Sequence, residues 1–253
     1  MSGCLSAGER RPSLRPKYGA PVGRRDEYRA VLRSRGVAHW PAYLREHSGL
    51  PGPRGNIELA QALADVGDRV CFDRFIATDD EYLVLCGVVG LGRLLAEGAG
   101  AEVEQRLRGH ATDARWRVRE AVAMALQRLG DADLPRLLDM VTDWSADRNA
   151  LVQRAAVAGI CEPRLLKTAD AAASAIDLCV RVTHALAARN TDERRDTGVR
   201  ALRQALGYCW SVAVAADPAY GLPRFRALAD CTDRDVAWIV RENGKKARLA
   251  NLL

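Results

Sequence analysis

Tryptophan and arginine recur together along this chain at short helical spacing. Trp116 is followed by Arg119 and Glu120, Trp144 by Asp147, and Trp238 by Arg241 and Glu242; Trp210 stands alone. An aromatic plane with a cation beside it suits stacking on a nucleobase or a cationic ring. Trp116 and Trp238 are expected at equivalent positions of a repeat, packing against the next unit. Trp144 and Trp210 fall off that register and are the stronger candidates for ligand contact. Near the C-terminus, Trp238, Arg241, Lys245 and Arg248 recur at i, i+3, i+7 and i+10. Such a stripe could follow a phosphate backbone, or serve as the polar outer face that a terminal repeat needs.

Other chemistry is harder to find. There is no G-x-x-x-x-G-K-[ST], G-x-S-x-G or H-E-x-x-H. Gly87, Gly90 and Gly92 sit inside an apolar run rather than after a strand, so they suit close helix approach better than a phosphate loop. Seven scattered cysteines without a C-x-x-C pair read as reduced thiols of a cytoplasmic protein. His39, His47, His110 and His184 stand apart from other ligand types, so neither a metal nor a cofactor is expected. No stretch approaches the roughly 20 apolar residues of a membrane span. A net charge of +6 raises the expectation of an anionic partner. Arginine supplies most of the cations, an excess that codon usage in a GC-rich genome explains more simply than selection for phosphate.

The elements that must carry these side chains follow from a repeated pattern. Asp79-x-x-Tyr82-x-Val84, Asp113-x-x-Trp116-x-Val118, Asp147-x-x-Ala150-x-Val152 and Asp235-x-x-Trp238-x-Val240 share an Asp with a Val five residues on. The first three Asp are 34 residues apart, and a degenerate copy stands near Asp196. Self-similarity at a period of about 20–50 residues signals stacked supersecondary units. Each Asp is expected to cap a helix, and the apolar residues after it follow the i, i+3, i+4, i+7 template. The prediction is an all-α solenoid of antiparallel helix pairs, wound as a right-handed superhelix.

Asp113-x-x-x-x-Val118-Arg119 and Asp235-x-x-x-x-Val240-Arg241 resemble the signature of HEAT repeats, over roughly residues 57–249. The resemblance implies a buried Val and Asp–Arg pairing from repeat to repeat; Leu85 and Gln153 replace the Arg in the other two copies. The stretch 143–156 is also similar to bacterial HEAT-like DNA alkylation-repair glycosylases. That likeness implies an aromatic contact at Trp144, phosphate contacts at Arg148 and Arg154, and a catalytic carboxylate at Asp143 or Asp147. Ala150-Leu151 stand where that family places an aromatic, and Asp147 competes as a helix cap.

Three segments follow: a basic arm over 1–25, a short helical extension and linker over 26–55, and a HEAT-like domain over 56–253. The linker is marked by Ser48-Gly49-Leu50-Pro51-Gly52-Pro53-Arg54-Gly55. The expected activity is non-covalent binding on a concave face that presents Arg119, Arg154, Arg203 and Arg241, with nucleic acid, DNA in particular, as partner. The alternatives are a glycosylase that removes alkylated bases and a scaffold for another protein.

Overall fold

The computed structural model describes residues 23–253. Most of the expected basic arm therefore lies outside the described residues, and Arg24 and Arg25 already belong to the first helix. Fourteen α-helices and three short 3-10 turns, with no strand, make up the described residues. They are α1 (Arg24–Ser34), α2 (Trp40–Glu46), α3 (Ile57–Val66), α4 (Arg69–Ile76), α5 (Glu81–Ala96), α6 (Ala101–His110) and α7 (Trp116–Ala132). There follow α8 (Leu134–Ser145), α9 (Ala150–Ile160), α10 (Ala169–Ala187), α11 (Thr197–Ala216), α12 (Pro218–Ala227), α13 (Arg234–Gly244) and α14 (Ala247–Ala250). None is long and apolar enough to cross a membrane.

The expected helix starts are present, but the capping residues move. Asp80, not Asp79, caps α5 by accepting from the amides of Tyr82 and Leu83. Asn149, not Asp147, caps α9, and Asp233, not Asp235, caps α13. Asp113 and Asp147 each accept an amide two residues on, from Arg115 at 2.8 Å and Asn149 at 2.7 Å. These are Asx-turns that lead into a helix rather than caps upon it. Of the Asp residues singled out, Asp196 alone caps a helix, through the amides of Gly198 and Val199. Asn56 caps α3, accepting from the Leu59 amide.

Alternate helices form a row in which α3 packs on α5, α5 on α7, α7 on α9, α9 on α11 and α11 on α13. The helices between them flank it: α4 and α6 against α5, α8 against α7 and α9, α10 and α12 against α11. Each row helix buries one apolar stripe, as Val118, Ala121, Val122, Ala125, Leu126 and Leu129 do on α7. On α5 burial extends almost all round, and glycine sets the spacing. Gly87 and Gly90 face Ile76 and Phe72 of α4, whereas Gly92 lies against the Ala125 backbone of α7.

Ion pairs link neighbouring members of the row. Arg117 of α7 reaches Glu81 of α5 at 3.0 Å, Arg154 of α9 pairs with Glu120 of α7, and Arg203 of α11 reaches Asp235 of α13 at 2.8 Å. The partners are 36, 34 and 32 residues apart, whereas Asp113 pairs locally with Arg115 and not across the row. A denser cluster ties α1 to the row, where Asp65 accepts a two-pronged contact from Arg25 and a third bond from Arg128, all at 2.7 Å.

The core also holds three thiols where α9, α10 and α11 meet. The sulfurs of Cys161 and Cys179 are 3.8 Å apart, and Cys209 contacts the Val157 carbonyl. The Cys161 and Cys209 thiols are pushed well above the ordinary range. A hydrogen bond to a neighbouring sulfur contributes most, followed by burial.

Candidate nucleic-acid interface

The polar stripe of α7, opposite its core stripe, carries Trp116, Arg117, Glu120, Met124, Gln127, Arg128 and Asp131. Three recesses open along it. The largest, about 610 Å³, is lined by Arg25, Glu58, Gln61, Arg93, Met124, Gln127, Arg128, Asp131 and Arg164 among others. A second, about 250 Å³, is lined by Arg54, Gly55, Ile57, Leu85, Trp116, Arg117, Glu120 and Met124. The third, about 390 Å³, is lined by Trp116, Arg119, Glu120, Arg154, Ala201, Gln204 and Ala205. Ile57 and Met124 are shared by the first two, and Trp116 and Glu120 by the last two. The recesses therefore form one groove across the row.

Its lining is net positive. Arg25, Arg54, Arg93, Arg117, Arg119, Arg128, Arg154 and Arg164 face Glu58, Glu120 and Asp131. Several of these arginines are committed to protein carboxylates: Arg117 to Glu81, Arg128 to Asp65, Arg154 to Glu120 and Arg164 to Asp131. Arg119 is different. One of its nitrogens donates to the backbone carbonyls of Asp113 at 2.6 Å and Ala114 at 2.9 Å, and it has no carboxylate partner among the described residues. Burial, and then the neighbouring Arg154 guanidinium, lower its pKa. An anion in this recess would relieve that repulsion.

The expected contacts divide sharply. Arg119 and Arg154 meet in the third recess, as their places on neighbouring row helices require. Trp144 and Trp210 do not reach the groove, because both are 0% exposed. Trp210 donates from Nε1 to Thr183 Oγ1 at 3.0 Å and tilts against Phe225, so it is a core residue and offers no stacking face. Trp144 of α8 is equally buried, though its Nε1 has no hydrogen-bond partner among the described residues. Both expected ligand contacts are therefore core residues.

Trp116 and Trp238 are not equivalent. Trp116 opens α7 with 46% of its surface exposed, whereas Trp238 is the fifth residue of α13 and packs over Gly207. The buried valine matching Val118 is accordingly Val236, not Val240.

Asp143 and Asp147 both engage Arg108, Asp143 at 3.4 Å. The Asp147 carboxyl lies below the usual range because the Asn149 amide and Arg108 together outweigh its burial. Neither carboxylate lines the groove. Arg148 lines a separate recess beside Arg189 and Asp196.

Arg203 is held by Asp235 and lies 4.7 Å from the Trp238 ring centre. Arg241 is exposed near Glu242, and Lys245 pairs with Glu242 at 2.6 Å. The expected basic stripe breaks at Gly244, where α13 ends. Arg248 instead lies on α14, over Tyr208 and hydrogen-bonded to its hydroxyl at 3.1 Å.

Sequence reasoning passed over Tyr208 and Gln204. Their signal was the helical wheel, since each lies opposite a buried stripe whose period was already legible. Among the described residues, no three His, Cys, Asp or Glu side chains are grouped to hold a metal ion. No protein-family model matches the chain, and no curated protein matches its sequence.

Proposed function

We propose that this chain is a HEAT-like solenoid whose groove binds nucleic acid without covalent chemistry. The row of alternate helices, its flanking layer and the ion pairs at 32 to 36 residues support the repeat architecture. The binding assignment rests on the excess of arginine over carboxylate along the groove, with the half-exposed Trp116 at its middle. Guanidinium groups suit phosphate, and a basic groove attracts a polyanion over a range set by salt. Base excision would call for a free carboxylate beside an aromatic face. With Asp143 and Asp147 held by Arg108, binding is the better-supported function.

The test is titration of fluorescent oligonucleotides across a salt series. Engagement of about four phosphates gives a slope of about −3 to −4 in log K against log salt concentration. No binding at low salt would sink the proposal and leave a protein partner as the ligand of the groove.

A further inference from the structure

Trp116 is the most exposed tryptophan on the row, and it separates two recesses of opposite character. On one side Arg119 stands beside Gln204 and the Arg154–Glu120 ion pair. On the other, Ile57, Leu85 and Met124 form an apolar wall; Arg54 also lines it, and the Arg117 guanidinium lies 4.7 Å from the Trp116 ring centre, covering one of its faces. At about 250 Å³ this apolar recess lies below the usual 300–1,000 Å³ of a ligand pocket. It can admit one heterocycle, not an extended molecule. An Arg–aromatic pair recurs further along: Tyr208 is 43% exposed, with Arg248 5.0 Å from its ring centre. Tyr208 lies one helical turn beyond Gln204 and Ala205, so it extends the same face of α11.

A duplex keeps its base faces stacked inside and offers this groove only phosphate. An apolar slot for one ring, an aromatic face and a cation without a carboxylate partner match a nucleotide whose base is unpaired. We propose that the groove selects single-stranded nucleic acid, stacking one base on the Trp116 face that Arg117 leaves open, beside the apolar recess, and holding the adjoining phosphate on Arg119. Tyr208 provides the next aromatic step along the strand. This inference rests on the nucleic-acid reading above.

The experiment compares a 12-mer of thymidine with a blunt duplex at the same low salt, using wild type, Trp116→Ala and Trp116→Phe. Circular dichroism melts of each variant confirm folding; the exposure of Trp116 makes a fold defect a small concern. The single strand should bind at least tenfold more tightly than the duplex and quench tryptophan fluorescence. Trp116→Ala should weaken single-strand binding by about tenfold, in keeping with about 1–3 kcal/mol per stacked base. Trp116→Phe should restore most of it, and duplex binding should fall by a clearly smaller factor than single-strand binding. Single-strand affinity that Trp116→Ala leaves intact, or duplex binding as tight as single-strand binding, would overturn the stacking proposal while leaving nucleic-acid binding standing. Indifference to both oligonucleotides would overturn both and mark the groove as a peptide site.

Discussion

Alanine at Gly92 should lower the stability of the protein by about 2 kcal/mol or more. Propensity argues the other way, because alanine is favoured over glycine in a helix interior by about 1 kcal/mol. Sterics decide the sign. A methyl group at Gly92 would fall on the Ala125 carbonyl oxygen and lie 2.5 Å from Ala125 Cα. Those are backbone atoms of α7, which cannot swing aside as a side chain can. Overpacking commonly costs about 1–3 kcal/mol, and a rigid neighbour puts this site at the upper end. Gly109 on α6 is the control, since a methyl group there meets nothing within 4 Å. Gly109→Ala should therefore be neutral or stabilising by up to about 1 kcal/mol. Urea midpoints of the two variants should move in opposite directions. A Gly92→Ala protein as stable as wild type would mean that α5 and α7 are packed less closely than described.

Removing the Asp65 carboxylate should be comparably severe. Arg128 has only 13% of its side chain exposed, so Asp65→Ala leaves a largely buried guanidinium without its anion. Breaking a fully buried pair costs about 3–5 kcal/mol. Arg25 is 39% exposed and its share is screened by water, so about 2–3 kcal/mol is expected. Burial alone would raise the Asp65 carboxyl, but hydrogen bonds from Arg25 and Arg128 outweigh it and hold the pKa below the ordinary carboxylate value. The stabilisation is then complete above the unfolded-state pKa of about 3.9 and is lost as pH falls through the depressed folded value. Asp65→Asn should accordingly flatten the acid limb of stability against pH. A wild-type limb retained in this variant would place the relevant proton on another group. The same substitution adds positive charge beside the groove, so affinity for a polyanion should rise while stability falls.

The helices could be read from the sequence because each rests on a local signal. Asn56 caps α3, and α7 shows its core stripe at unbroken helical spacing, whereas Asp217-Pro218, which reads as a turn, opens α12. The caps were misplaced because Asp is equally suited to the turn before a helix and to its first turn. Only the backbone path separates Asp113, which closes the turn, from Asp80, which caps.

The proposed site was half legible. Arg119 and Arg154, expected together on one face, do line one recess. Trp144 and Trp210 were taken for ligand contacts because a break in register reads the same in sequence whether the ring points to solvent or to the core. Trp116 was assigned to packing, although its place just before the first buried residue of α7 put it at the rim. Asp65 gave no sign at all, since its three arginine partners come from residues 36 to 63 positions away.

The three sulfurs at the meeting of α9, α10 and α11 give the molecule internal clocks. Thiolate is the form that alkylating reagents attack, and at Cys161 and Cys209 it is suppressed by a neighbouring sulfur and by burial. Cys231, which is exposed, should be labelled at once. Cys161, Cys179 and Cys209 can be labelled only when that joint opens. Their labelling rates therefore measure how often the second half of the row comes apart, without any probe being added to the chain.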